Sequence, residues 1–222
     1  MRVFAAVWPP EGVLDHLDLA LGALRRELPG DGTGPVRWSA RETWHLTCAF
    51  YGDVPDGRVP ELAGALAAAA ATTAPYRLRL RGSGVFSHRT LWVGVGGDTA
   101  AQRALVRAAV DAGTAVAARP DDRPRARAHL TIGRVRDGAG RGSRGPGRWG
   151  TDAAAGRRGR NVPSAGPAGT IPFDADAFVG ALMVYEGPEW TVETLRLVAS
   201  RPGEGRGGGP LYTVVDEFAF RS

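Results

Sequence analysis

Trp44-His-Leu-Thr-Cys48 and, further along, Ala128-His-Leu-Thr-Ile132 are two copies of one short pattern, and they organise the whole chain. The protein has four histidines, and two of them stand in these copies. Each copy opens an apolar stretch that is typical of a β-strand. The repetition therefore predicts two related halves, each contributing one such strand.

The spacing inside each copy determines which side chains share a face. In a strand, residues i and i+2 point to the same side. His45 and Thr47 therefore share one face, as do His129 and Thr131, while the residues between them face the core. If the two strands lie side by side, both His–Thr pairs line one cleft.

Two imidazoles and two hydroxyls around one point suit chemistry at a phosphodiester. A displacement at phosphorus needs a base on the incoming oxygen and an acid on the leaving oxygen, and histidine serves in either role near neutral pH. Threonine hydroxyls can donate hydrogen bonds to the non-bridging oxygens. No metal is needed, and two histidines without a third ligand make a poor zinc site. On spacing alone, catalysis and a structural role for the histidines stay equally open.

The remaining sequence alternates strand and helix patterns in an irregular order, which predicts an α+β fold. The last two strands are expected to form an antiparallel hairpin around a glycine-rich turn, and Phe50 is expected to face the core, away from His45. A turn is expected over Gly82–Thr90. The predicted strands are Arg2–Trp8, Val36–Trp38, His45–Tyr51, Tyr76–Leu80, Leu91–Val95, His129–Val135, Thr191–Ser200 and Leu211–Phe220. The predicted helices are Glu11–Leu28, Arg58–Thr72, Thr99–Ala118 and Asp174–Tyr185.

Composition excludes several classes of protein. The 222 residues are 43% hydrophobic and 23% charged, as in ordinary globular domains. A chain of this size buries roughly 70% of its extended surface, which is enough for a sizeable core. No apolar run approaches the length of a membrane span, and the first residues read as a strand rather than a signal peptide, so a cytoplasmic protein is expected. The single cysteine, Cys48, excludes an internal disulfide.

The net charge of +5 comes from one segment. Residues 138–170 hold six arginines against one acid and contain ten glycines, so the rest of the chain is neutral overall. With almost no large aliphatic side chains, this segment is predicted to be a disordered insertion in a single domain spanning 1–222. It is either an arm that touches RNA phosphates or an insertion without function. The net charge is therefore no argument for a broad basic groove.

The paired motifs resemble those of the 2H phosphoesterase superfamily. More closely, the chain is similar to the bacterial RNA 2′,3′-cyclic phosphodiesterases, also called 2′-5′ RNA ligase-like proteins. The likeness reaches beyond the motifs, and only residues 138–170 depart from the family pattern. It is carried by Arg2–Pro10, Val36–Trp38, Glu42–Val54, Gly84–Phe86, Leu91–Trp92, Arg127–Val135, Trp190–Val198 and Leu211–Val215.

The resemblance implies a bilobal α+β fold, in which two pseudo-twofold-related lobes line a central cleft with antiparallel or mixed sheets and keep their helices outside. It implies that His45 is the proton donor and His129 the proton acceptor, that Thr47 and Thr131 bind the phosphate, and that Arg134 offsets its charge. The implied partner is an RNA with a 2′,3′-cyclic phosphate end, such as a tRNA fragment, acted on by a monomer without cofactor, metal or membrane.

The implied reaction is hydrolysis of that end to a 2′-phosphomonoester. Three alternatives remain, and the first two would use the same residues at the phosphate. The first is an enzyme for small cyclic nucleotides or ADP-ribose cyclic phosphate, and the second is reversible 2′-5′ RNA ligation. The third is a module that binds RNA ends without catalysis, although intact histidines and threonines in both motifs argue against it.

Overall fold

The computed structural model describes residues 1–28, 34–116, 128–136 and 173–221, and the 138–170 segment lies outside them. These residues form nine strands and four α-helices. The strands are β1 Arg2–Val7, β2 Val36–Trp38, β3 Leu46–Asp53, β4 Tyr76–Phe86, β5 Thr90–Gly97, β6 His129–Val135, β7 Glu186–Val192, β8 Thr194–Arg201 and β9 Leu211–Ala219. The helices are α1 Glu11–Arg25, α2 Val59–Ala71, α3 Thr99–Ala115 and α4 Ala175–Gly180.

The strands form two sheets in which every pairing is antiparallel. Sheet one has the order β3-β1-β8-β9, and sheet two has the order β2-β6-β5-β4-β7. The predicted hairpin is confirmed, because β8 pairs with β9 in antiparallel fashion. The sheets and their outer helices agree with the expected bilobal α+β fold.

Two of the helices, α1 and α3, pack against the sheet that does not contain the strand before them. Although α1 follows β1 of sheet one, it packs against β7 of sheet two, and α4 covers β4. The helix α3 follows β5 of sheet two but packs against β3 of sheet one, beside α2, which covers β8 and β9. This exchange ties the two halves into one molecule.

Apolar periodicity explains the helix positions. In α1, which begins directly after Pro10, the buried residues Val13, Leu14, Leu17 and Leu21 form one face at helical spacing. That face joins a hydrophobic core to which both sheets contribute, and Trp44 is completely buried there. No helix in the described part of the chain is long and apolar enough to cross a membrane.

The opposite face of sheet one carries a second, smaller apolar cluster. Phe4, Ala6 and Val198 are buried in it, and the half-buried rings of Trp8, Phe50 and Tyr212 pack against them. We call these six residues the aromatic cluster. In β1 its members alternate with Val3, Ala5 and Val7, which belong to the main core, so both faces of this central strand are covered.

The structure corrects the prediction for Gly82–Thr90. This stretch is largely strand, because β4 runs on to Phe86 and β5 begins at Thr90. Gly82 adopts a left-handed conformation with φ of 64°, and the pairing register between β4 and β5 shifts at this position. A break in periodicity therefore marks a β-bulge in this strand, not a loop.

The prediction of a helix over Asp174–Tyr185 is wrong in its second half. The helix ends at Gly180, and the unpredicted strand β7 begins at Glu186. This edge strand buries only Trp190 and Val192, so it lacks an alternating apolar pattern. Ion pairs from Arg79 to two glutamates of this strand, Glu186 and Glu189, hold it to β4, an arrangement that short-range periodicity does not reveal.

Candidate active site

The two motif strands lie in different sheets. β3 is an edge strand of sheet one, while β6 lies inside sheet two, so each sheet contributes one motif strand. The strands nevertheless approach each other where the sheets meet. Burial alternates as the spacing predicts, since Leu46 and Leu130 are fully buried while Thr47 and Thr131 are half-buried.

His45 is held at both of its ring nitrogens. The Nδ1–H donates to the backbone carbonyl of Thr43 over 2.7 Å, and Nε2 lies 3.0 Å from the hydroxyl oxygen of Thr47. Because a carbonyl only accepts, Nδ1 keeps its proton in both ionisation states. Nε2 is therefore the nitrogen that gains and loses a proton, and the Thr47 hydroxyl marks the direction in which it points.

Three rings of the aromatic cluster surround His45. The indole of Trp8 stacks on the imidazole with 4.8 Å between ring centroids, and Phe4 lies 4.9 Å away. Tyr212 meets the ring edge-on at 5.4 Å. These rings pack the imidazole on several sides, and the face of the Trp8 indole stacked on it attracts a cation.

His129 has a related but separate environment. It pairs across the sheet with Gly94, while Thr131 pairs with Trp92. Phe86 meets the imidazole edge-on at 4.9 Å between centroids, and Trp92 lies at 6.2 Å. Each histidine is thus flanked by a tryptophan and a phenylalanine from its own sheet.

A missing side chain makes room for Trp92. A Cβ atom added at Gly84, directly across the ladder from this tryptophan, would lie 2.2 Å from the indole ring. The ring therefore lies against bare backbone of β4. From this place it stacks on Phe86, whose own ring meets His129.

Arg134 lies near enough to Tyr212 of sheet one for its charge to act on that phenol. It lies in β6, five residues after His129, and its side chain is exposed. Burial raises the pKa of Tyr212, and the positive charge of Arg134 partly offsets this rise. Since Tyr212 touches His45, the guanidinium is close enough to influence the surroundings of the other motif.

The prediction that Phe50 faces the core is wrong. Ala6 pairs with Thr47 and Ala5 with Ala49, so Cys48 is an extra residue in β3. This bulge buries two consecutive residues and reverses the alternation that follows. Phe50 therefore joins the aromatic cluster on the histidine side, with the guanidinium of Arg2 4.8 Å from its ring.

Sequence reasoning found the histidines and threonines but missed the rings around them. One signal was present, since each motif strand pairs with a strand that carries a tryptophan, Trp8 after β1 and Trp92 in β5. Recognising it requires knowing which strands are neighbours. For Tyr212 no local signal exists, because it reaches His45 from the other edge strand of the sheet.

Metal ligands do not cluster in the described residues. No group of three or more His, Cys, Asp or Glu side chains there is arranged to hold a metal ion. Independence of metals and cofactors stays a prediction, and its test is given below.

Each of the two antiparallel sheets contributes one His–Thr motif to this candidate site. Residues 7–92, which include the first motif, match the family described as LigT like Phosphoesterase. This part of the chain is therefore similar to the LigT-like phosphoesterases.

Two curated relatives have the same name, RNA 2′,3′-cyclic phosphodiesterase. The protein from Geobacillus stearothermophilus is 42% identical over 101 residues, which are 44% of this chain and 32% of the relative. The protein from Methanothermobacter thermautotrophicus is 29% identical over 99 residues, 43% of this chain and 51% of the relative. The aligned part thus spans about a third of the first relative and about half of the second.

Solved structures share the fold over the whole chain. A protein of Thermus thermophilus matches with a TM-score of 0.62 and 24% identity, covering 100% of this chain and 99% of the other. The E. coli LigT protein complexed with 3′-AMP matches with a TM-score of 0.63 and 18% identity, covering 100% and 98%. The common fold therefore includes the second motif, which lies beyond residue 92.

Proposed function

We propose that the protein hydrolyses 2′,3′-cyclic phosphate ends of RNA to 2′-phosphomonoesters, with His45 as general acid and His129 as general base. One observation carries the proposal: each sheet contributes a histidine with a threonine on the same face, flanked by a tryptophan and a phenylalanine. The name shared by the two curated relatives supports the choice of substrate.

The reaction consumes one water molecule, and at its end both histidines regain their starting protonation states. His129 takes a proton from water, whose oxygen attacks phosphorus, and the bond from phosphorus to the 3′ oxygen breaks. His45 delivers the proton from Nε2 to that leaving oxygen, because its Nδ1–H is already engaged with the Thr43 carbonyl. The products are a 3′ hydroxyl and a 2′-phosphate, and proton exchange with solvent restores both histidines.

Threonines and an arginine have the right chemistry for the phosphate oxygens. In the free protein the Thr47 hydroxyl lies 3.0 Å from Nε2 of His45, so it is close to the position of the leaving oxygen. Thr131 is its counterpart beside His129. Donors that are already in place stabilise the charge that builds on non-bridging oxygens, and Arg134 adds a positive charge near this site.

The decisive experiment uses EDTA-treated protein and a short RNA, such as a tRNA fragment, with a 2′,3′-cyclic phosphate. We expect a product heavier by one water, identified as the 2′-phosphate against authentic 2′ and 3′ standards. A 3′-phosphate would contradict the assignment of the 3′ oxygen as the leaving group. Strict dependence on added Zn²⁺ or Mg²⁺ would overturn the two-histidine mechanism, and binding without turnover would favour an RNA-end-binding module.

Two further arms of the experiment address the alternatives. Mononucleoside and ADP-ribose cyclic phosphates test for an enzyme of small substrates, which would turn them over in preference to RNA. An added RNA with a 5′ hydroxyl tests for 2′-5′ ligation through a longer product. Preference for hydrolysis of the RNA end over both is the expected result.

A further inference from the structure

A groove of about 550 Å³ opens beside the motif strand of sheet two. It lies between α3 and the hairpin formed by β4 and β5. Its walls include Arg81, Ser83, Trp92, Arg103, Arg107 and Ala128. The proposed mechanism uses none of the three arginines.

The groove is continuous with the surroundings of His129. Ala128 precedes that histidine in the chain, and Gly94, which also lines the groove, pairs with it across the sheet. Trp92 belongs to both places, since it lines the groove and packs near the imidazole. A chain whose end lies at His129 would therefore enter this groove within a short distance.

Positive charge is concentrated there without compensation from the walls. Three arginines and no acidic residue occur among the lining residues that the structure describes. Arg103 and Arg107 are both exposed and stand one helical turn apart on α3, where like charges repel. Arg103 donates a hydrogen bond to the Thr99 hydroxyl over 3.3 Å, and within the described ranges neither Arg103 nor Arg107 forms an ion pair. Arg81 alone approaches a carboxylate, that of Glu186, at 3.4 Å.

The other wall components suit a nucleotide chain. Trp92 offers an aromatic surface, and Val95 and Val106 add apolar contacts beside the arginines. Single-stranded nucleic acid is bound by this combination of cations along the backbone and rings for bases or sugars. A free phosphate ion would be bound by the arginines alone, so the aromatic and apolar walls favour a nucleotide chain.

We infer that this groove binds the RNA chain on the 5′ side of the cyclic phosphate, with Arg103 and Arg107 contacting phosphodiesters that precede the terminal nucleotide. The inference rests on the proposed function, which places the reacting end at the two histidines. The groove thus contributes to the affinity for long RNA substrates and takes no part in the chemical step.

The test compares two double variants on two substrates. R103Q/R107Q removes both charges from the groove, while R26Q/R221Q removes two arginines, one just after α1 and one at the C-terminal end, that do not line it. The substrates are a mononucleoside 2′,3′-cyclic phosphate and a ten-nucleotide RNA with the same cyclic end. KM and kcat are measured at several salt concentrations.

R103Q/R107Q should raise KM for the RNA about tenfold at low salt and leave its kcat unchanged, because phosphate contacts position the chain. The slope of log KM against log salt should fall by about 1.4, since each contact to a single strand contributes about 0.7. Neither KM nor kcat for the mononucleotide should change by more than about twofold. R26Q/R221Q should behave as wild type on both substrates.

Three results would overturn the inference: an unchanged KM for the RNA, an equal rise for both substrates, or an equal effect of R26Q/R221Q. If wild-type protein hydrolyses neither substrate, the proposed function fails, and the Kd of the same RNA for the three proteins decides whether the groove binds it. Melting temperatures report on folding. R107Q alone repeats the test if the double variant is unstable, with half the change in slope.

Discussion

Each histidine stands at the start of its motif strand, but the aromatic rings around the two are assembled differently. The rings around His45 belong to Phe4 in β1, to Trp8 just after β1, and to Tyr212 in β9. The last of these is far from the other two in sequence. His129 meets two rings from a single hairpin, with Phe86 at the end of β4 and Trp92 in β5. One site therefore depends on the whole of sheet one, and the other on a local element.

The hairpin at His129 also carries backbone strain. Ser87 and His88, at its tip, both have positive φ, of 49° and 54°, which residues other than glycine seldom adopt. Phe86, immediately before them, is 42% exposed although it touches the imidazole. The rings around His45 are therefore fixed by packing within sheet one. The two rings beside His129 depend instead on the conformation of the β4–β5 hairpin that carries them.

The largest effect is expected from removing either histidine. His45→Ala and His129→Ala should each lower kcat by about 10²–10⁴-fold, because each removes one proton transfer. The double variant should lose far less than the product of the two losses, since the residues act as a unit. Steady-state kinetics on the cyclic-phosphate RNA measure this.

His16→Ala is the matched control, because His16 is exposed on α1 and interacts with Tyr185. The control should retain wild-type kcat. Wild-type kcat/KM should follow a bell-shaped pH profile, and each single variant should lose one limb. Full activity in either single histidine variant would refute the division of roles.

The threonines should give the next largest effect. Thr47→Val and Thr131→Val each remove a proposed donor to a non-bridging oxygen and should lower kcat by about 10²-fold. Thr47→Val also removes the hydroxyl that lies 3.0 Å from Nε2 of His45, so it should shift the limb of the pH profile that belongs to this histidine. Thr131→Val should leave that limb in place.

Serine variants are the control for the threonines. Thr47→Ser and Thr131→Ser keep the hydroxyl and should recover most of the activity, as measured by kcat at the pH optimum. Equal losses in the valine and serine variants would mean that the methyl group, and therefore packing, is what these positions require.

A glycine tests the dependence of His129 on its hairpin. Gly84→Ala would place a Cβ 2.2 Å from the Trp92 ring, and such overpacking typically costs about 1–3 kcal/mol of stability. The displaced indole should lower kcat/KM about tenfold, less than the ~10²-fold cost of misplacing a reacting group by 1 Å. Denaturant unfolding and kinetics measure the two effects separately.

Gly64→Ala is the control, because nothing lies within 4 Å of a Cβ at this position in α2. Alanine is the better helix former, so this variant should gain about 0.5–1 kcal/mol at unchanged activity. If Gly84→Ala keeps full activity, the position of Trp92 does not matter to His129.

The smallest effect concerns Tyr212. Tyr212→Phe keeps the ring against His45, so kcat at neutral pH should stay within about twofold of wild type, as measured by steady-state kinetics. Burial raises the pKa of Tyr212 in the folded protein. The unfolded chain therefore ionises first, at about pH 10, and the free energy of unfolding falls as pH rises from there towards the folded pKa.

Tyr212→Phe should make that alkaline decline shallower without abolishing it, because burial also raises the pKa of Tyr51, Tyr76 and Tyr185, the last to about 12. Urea unfolding across the alkaline range measures the slope. An unchanged slope would mean that the phenol of Tyr212 is as accessible in the folded chain as in the unfolded one. Tyr212→Leu, which removes the ring, should lower kcat more than Tyr212→Phe does.

The net charge of the chain does not reveal the local concentration of arginines in the groove. The chain outside residues 138–170 is neutral overall, so its net charge gave no argument for a broad basic groove. Yet Arg81, Arg103 and Arg107, from a strand and a helix, line one groove, and none of the described residues in its walls is acidic. Net charge sums over the chain, whereas binding depends on which charges are neighbours in space.

Local periodicity was enough to predict the motifs, the α+β class and which motif residues are buried, because all three depend on short stretches of chain. Other features required the folded molecule. The extra residue Cys48 in β3 placed Phe50 on the side of His45, and bare backbone at Gly84 accepted the ring of Trp92. Pairing between strands far apart in the chain brought Tyr212 to His45. Bulges and long-range pairings arise from the fit of one strand to another, and that fit is absent from any single stretch of sequence.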